Sequence, residues 1–211
     1  MPRRPYDGNR IAVPEDFVSP HFCYKTAGPH LNPEDINTVV QAAKLDERRP
    51  VGPYIDFITC SSQPEPVRAA LSRLKESLHE FIQGESEEDI VLLGSECAVP
   101  HVDVACAGAA LLSVVLHTGP YPYTLYTFHS ARDPEAGSAL TRVDYPLAAG
   151  ETFIFDPTTP HCTAPDRMDS GQLLLLLQAK LADDTVKDRR RILQRFAPLD
   201  CEFDVDYSAY S

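Results

Sequence analysis

The chain has 211 residues, of which 43% are hydrophobic and 24% charged, a balance that supports a full apolar core and excludes a disordered or low-complexity chain. A formal net charge of -12 argues against a duplex nucleic acid or an anionic membrane surface as partner, because the average surface repels phosphates. Six cysteines (Cys23, Cys60, Cys97, Cys106, Cys162, Cys201) lack zinc spacing, the N-terminus lacks an apolar secretory stretch, and no run reaches the roughly 18 apolar residues of a membrane span, so free thiols in a reducing cytoplasm are expected.

Length predicts a single domain over 1–211: an N-terminal extension with helices (1–88), a β-rich core (89–181), and a C-terminal helix and tail (182–211). The first 30 residues, rich in Pro, Gly and aromatics, either wrap the surface or form an edge strand. Pro33-Glu34-Asp35, capped by Asn32, opens a helix that carries Ile36, Val39, Val40, Ala43 and Leu45 at helical spacing. Tyr54 to Cys60 reads as a short strand. A second helix runs from Pro66 to about Ile82, with Val67, Leu71, Leu74, Leu78, Phe81 and Ile82 on one stripe and Gly84 as its stop.

From Asp89 the texture changes to short apolar runs broken by Gly and Pro: Ile90 to Leu93, Ala109 to Leu116, Tyr123 to Phe128, Leu140 to Tyr145, Thr152 to Phe155, and Gln172 to Leu181. Close spacing of such strands predicts a sandwich or barrel, and the five leucines Leu173 to Leu177 fit a strand buried on both faces. A charged helix follows from about Asp183 to Phe196; its Arg189-Arg190-Arg191 cluster, beside Asp183, Asp184 and Asp188, reads as a solvated face. The layout is α+β, with helices buttressing one face of a jelly-roll.

The chemistry-bearing feature is His101-Val102-Asp103. Side chains at i and i+2 of a strand share a face, so His101 and Asp103 are able to grip one ion while Val102 turns away. A third ligand comes from elsewhere, and His161 is the candidate. Two imidazoles and one carboxylate on one face of an octahedral Fe(II) leave open positions for a cosubstrate and O2.

The segment from Ala148 through Gly150, Phe153, Phe155 and Pro157 to Pro160-His161 reads as turn, strand, turn, then a histidine opening the next strand. Here the sequence resembles the Fe(II)/2-oxoglutarate-dependent dioxygenases, which carry His-x-Asp near the end of one strand of a double-stranded β-helix and a distal His after such a strand and turn. The resemblance covers roughly Ile90 to Leu181. It implies a cupin-like jelly-roll core and iron ligation by His101, Asp103 and His161. It further implies oxidation of 2-oxoglutarate to succinate and CO2 as a small molecule or a peptide or protein side chain is hydroxylated. Most of the family place an Arg or Lys on the strand after the distal His to pair with the far carboxylate of 2-oxoglutarate, whereas position 171 is Gly. Candidate cations are Lys180, on the leucine strand, Arg142, on the strand before Gly150, and Arg167, in a turn; Tyr126 or Thr124 offers a hydroxyl.

The remaining polar residues have structural readings. His79 borders the second helical stripe, His117 and His129 sit at strand ends, Asp156 belongs to turn chemistry, and Cys162 is a small buried residue. Two other functions stay open: a jelly-roll binding module with a vestigial metal site, and a cupin-type metalloenzyme that uses no 2-oxoglutarate. The absence of a multi-histidine motif after Asp103, where the next histidine is His117, weighs against the latter.

Overall fold

The computed structural model describes residues 23–44, 56–57, 63–83, 90–98, 100–103, 109–130, 140–167, 172–181, 195–196 and 199. Helix α1 (Pro33–Lys44) begins where Asn32 Oδ1 accepts the Glu34 amide at 2.9 Å, with Glu34 and Asp35 in the first turn against the helix dipole. Helix α2 (Glu65–Phe81) has proline at its start and buries Ala70, Leu71, Leu74 and Leu78 along one stripe. The chain leaves α2 through Gln83, whose φ of 56° lies in the left-handed region. That places the stop before Gly84, which lies outside the described residues. The two helices are also tied by Arg73, which reaches Asp35 at 2.6 and 3.0 Å.

Strands β1 (Cys23–Thr26), β2 (Asp56–Phe57), β3 (Val91–Ser95), β4 (Ala110–His117), β5 (Tyr123–Ser130), β6 (Leu140–Leu147), β7 (Thr152–Phe155), β8 (His161–Pro165) and β9 (Leu174–Leu181) form two antiparallel sheets. The larger has the order β1-β7-β4-β9-β3-β2 and the smaller β6-β5-β8. After β3 the chain crosses to the small sheet, where His101 bridges His161 beside β8. It then shuttles: β4 in the large sheet, β5 and β6 in the small, β7 large, β8 small, β9 large. This alternation winds a double-stranded β-helix, so the α+β jelly-roll expectation holds. Edge strand β1 accounts for part of the N-terminal region, and β2 is the described part of the Tyr54–Cys60 expectation. The C-terminal helix expected from Asp183 to Phe196 lies outside the described residues except for 195–196; Phe196 packs against Phe81, ring centroids 6.1 Å apart.

The leucine run shows how the layers are built. Leu173, Leu175 and Leu177 join Val39, Leu71, Leu74 and Leu78 in the core between the large sheet and the helices. Leu174 and Leu176 point the other way and meet Tyr123, Leu125, Phe153 and Phe155 between the sheets. A strand covered on both faces needs no polar alternation, and each buried leucine contributes about 1.5–3 kcal/mol. The passage from β6 to β7 depends on Gly150, at φ 89°: its amide donates to the Val115 carbonyl at 2.7 Å, and the Val115 amide donates to the Glu151 carbonyl at 2.8 Å.

Candidate metal centre

The small sheet brings the three predicted ligands together. His101 and His161 exchange both backbone hydrogen bonds at 2.9 Å, so they are direct antiparallel partners. Their rings stand on one face with centroids 4.4 Å apart. Two residues on, Asp103 is anchored by donating its amide to the Pro157 carbonyl at 2.9 Å. Its Oδ1 lies 3.4 Å from His101 Nε2 and its Oδ2 lies 3.6 Å from His161 Nε2. One donor atom from each residue falls within 4.8 Å of the others.

A single turn, Asp156-Pro157-Thr158-Thr159, orients this cluster. The buried Asp156 accepts from the Thr158 amide at 2.9 Å and from Thr158 Oγ1 at 2.6 Å, an Asx turn, so Asp156 is spent on the turn as its sequence setting suggests. The same turn presents the Pro157 carbonyl to Asp103 and the Thr159 carbonyl to His161 Nδ1, 2.8 Å away. Phe155 lies edge-on against His161, at 4.9 Å between centroids.

Electrostatics test whether a cation suits these groups. A carbonyl only accepts, so the Nδ1 of His161 carries the proton and its Nε2 presents a lone pair. Burial, reinforced by the charge of His101, pushes the His161 imidazole down to about 4, against the opposing pull of Asp103, the Thr159 carbonyl and Asp156. Burial pushes the Asp103 carboxyl up, but the hydrogen bond from His101 and the charges of His161 and His101 outweigh it and hold the group below its ordinary value. Near neutral pH a lone pair on His161 therefore faces a carboxylate oxygen. Two acceptors in that position repel unless a cation lies between them, and the donor set of two imidazoles and a carboxylate suits Fe(II). The hydrogen bond from Nδ1 to Thr159 is also the kind of outer contact that orients a ligating histidine.

Beneath the cluster a cavity opens between the sheets, lined by Leu93, Ser95, Leu125, Phe153, Leu174 and Leu176 among others, with Thr163 and Gln178 adding polar atoms. The residues expected to hold a cosubstrate are placed elsewhere. Thr124 and Tyr126 share a face, as alternation predicts, but Leu125 is the residue of β5 that lines the cavity. Tyr126 instead packs with Phe128, Cys162 and Ala164. Arg142 lies over the Tyr126 ring at 5.1 Å and pairs with Asp144 at 2.8 Å. Arg167 lies over the Tyr121 ring at 5.4 Å. Lys180 shares a face of β9 with Gln178, which lines the cavity; Lys180, half-buried one step further along, does not. His79 is exposed, His117 ends β4 away from the cavity, and the His129 side chain lies outside the described residues. Sequence reasoning missed Ser95, Leu125, Thr163 and Gln178 as lining residues. Alternation gives the pairing of faces but not which face looks inward.

No family model matches the sequence, and no curated protein does. Solved structures similar to this chain include non-haem α-ketoglutarate-dependent enzymes. One is the epimerase SnoN from nogalamycin biosynthesis, 17% identical, covering 77% of this chain and 78% of that chain with a TM-score of 0.45. The carbocyclase SnoK from the same biosynthesis is 13% identical, covering 85% and 88%, with a TM-score of 0.46. A Pseudomonas putida prolyl-4-hydroxylase is 15% identical, covering 78% and 92%, with a TM-score of 0.43.

Proposed function

We propose that this chain is a mononuclear non-haem Fe(II) oxygenase in which His101, Asp103 and His161 hold the metal. A 2-oxo acid serves as cosubstrate, and 2-oxoglutarate is the one the sequence resemblance implies, with release of succinate and CO2. The observation that carries the reading is the buried His161 Nε2 lone pair facing the Asp103 carboxylate at 3.6 Å, with His101 at the same point. When bound, iron supplies open coordination positions for O2 and for chelation by the 2-oxo acid.

The chain's own residues supply position and access. The Thr159 carbonyl keeps the Nδ1 proton and so aims Nε2 at the metal position. Asp156 fixes the turn from which both Thr159 and Pro157 act. Phe153 and Phe155 give the inner side of the site an apolar wall. The substrate is proposed to be a small molecule or a peptide or protein side chain reaching the metal from the side on which His101 and Asp103 are partly exposed. A reducing, cytoplasmic setting is part of the same reading: Cys23, Cys97 and Cys162 are buried, and burial pushes the Cys162 thiol up to about 12, where it is inert. Among the described residues no helix is long and apolar enough to cross a membrane.

Anaerobic Fe(II) titration of the full chain tests the reading. One equivalent is expected to bind, with affinity reduced at least 100-fold in His161→Ala and in Asp103→Ala. Binding that is indifferent to both substitutions would reject the site.

A further inference from the structure

The wall chemistry of the cavity bears on which 2-oxo acid the site takes, an inference that rests on the metal site proposed above. Strand β8 descends from His161, opposite Thr127, to Pro165, opposite Tyr123. Alongside it, the Ala98 amide donates to the Thr163 carbonyl at 2.9 Å, and the Tyr123 hydroxyl donates to the Glu96 carbonyl at 2.6 Å. Ser95 therefore lies at the end of the cavity away from the metal ligands, where its register partner on β9 is Leu174. A 2-oxo acid chelating a metal through its C1 carboxylate and 2-oxo oxygen would send its remaining carbons into this end.

That end is built for an uncharged group. Leu93, Leu125, Phe153, Leu174 and Leu176 form its wall, and no lysine or arginine is among the described residues that line the cavity. Gln178 brings an amide, already donating to Ser113 Oγ at 2.9 Å. The remaining polar side chains of the lining beyond the metal ligands are Thr163, two residues along β8 from His161, and Ser95, whose Oγ is buried and has no hydrogen-bond partner among the described residues. Neutral hydroxyls and an engaged amide do not compensate a carboxylate removed from water, whereas they suit an alkyl chain or a chain ending in one neutral oxygen.

We infer that the cosubstrate of this site is a 2-oxo acid with an uncharged, largely aliphatic side chain, selected over the dicarboxylate 2-oxoglutarate by Leu174, Leu176 and Ser95. The balance of the reaction is unchanged. The 2-oxo acid loses C1 as CO2 and becomes the carboxylate one carbon shorter. One oxygen atom of O2 enters that carboxylate and the other enters the C–H bond of the substrate.

The experiment is calorimetric titration of the full chain, loaded with redox-inert Zn(II), with 2-oxoglutarate, 2-oxopentanoate and 4-methyl-2-oxopentanoate. At least tenfold tighter binding of the two uncharged acids is expected, about 1.4 kcal/mol. Equal or tighter binding of 2-oxoglutarate overturns the inference, as does a lack of binding by the uncharged acids. In Leu174→Arg, checked for native circular dichroism and Zn(II) uptake, 2-oxoglutarate is expected to gain at least tenfold; the wild-type comparison decides independently of that variant. Failure of the wild-type chain to take up Zn(II) would reject the metal site itself and the inference with it, whereas uptake followed by a preference for 2-oxoglutarate rejects the inference alone.

Discussion

Replacing Asp156 by Ala removes one carboxylate oxygen that accepts two hydrogen bonds, from the Thr158 amide at 2.9 Å and the Thr158 hydroxyl at 2.6 Å. Hydrogen bonds to a charged acceptor contribute about 1.5–3 kcal/mol each. Because these two share one oxygen and one turn they do not add fully, and a loss of roughly 2–4 kcal/mol is expected. The turn also carries the Thr159 carbonyl that orients His161 and the Pro157 carbonyl that anchors Asp103. Metal affinity should therefore fall about 10- to 100-fold, as it does when an outer contact of a ligating histidine is lost. Urea unfolding followed by circular dichroism reads the first effect, since the chain has no tryptophan, and Zn(II) competition titration reads the second. Asp156→Asn keeps an oxygen acceptor in place and should restore most of both losses. An Asp156→Ala protein that is destabilised yet binds Zn(II) within twofold of wild type would refute the claim that this turn positions the ligands.

The apo protein should lose stability as pH falls from about 6.5 to about 4. The His161 imidazole is pushed down to about 4 when folded, mainly by burial, so the unfolded chain binds the proton first; the contribution is fully present above about 6.5 and shrinks by about 3 kcal/mol across that window. Asp103, held below its ordinary value, acts only at lower pH, so His161→Gln should flatten the slope, and a flat wild-type profile between pH 6.5 and 4.5 would contradict this account. Leu175→Ala, under the helices, should cost about 2–5 kcal/mol in urea unfolding without changing Zn(II) affinity, and a cost below 1 kcal/mol would deny that packing. Arg142→Ala should leave both metal and 2-oxo acid affinities unchanged, because its guanidinium is engaged by Tyr126 and Asp144; a tenfold loss of 2-oxo acid binding would return Arg142 to the site.

The elements were largely legible in the sequence because their signals are local. Asn32 before Pro33-Glu34-Asp35 marks a capped helix start, and α1 begins there. The stripe from Leu71 to Leu78 marks a buried helix face, and those residues are buried. Strand β8 is harder to see, since His161–Pro165 has no long apolar run and reads only as the strand opened by His161. The end of α2 depends on Gln83 adopting a left-handed conformation, which is not a common choice for a residue with a side chain.

For the site, the residue types and the i, i+2 spacing of His101 and Asp103 were enough to nominate a metal pair, because strand geometry puts both on one face whatever the rest of the chain does. Which face of each strand looks inward is another matter. Period-two alternation is the same seen from either side, so Tyr126 and Leu125 compete on equal terms until the second sheet covers one of them. Likewise the meeting of His101 with His161, and the withdrawal of Arg142 to Tyr126 and Asp144, depend on pairings between strands far apart in the chain. Sequence alone determined the elements and the nominated ligands, because those follow from local spacing. Tertiary structure decided the convergence of the ligands and the apolar character of the cavity beneath them, because both follow from which faces the two sheets turn toward each other.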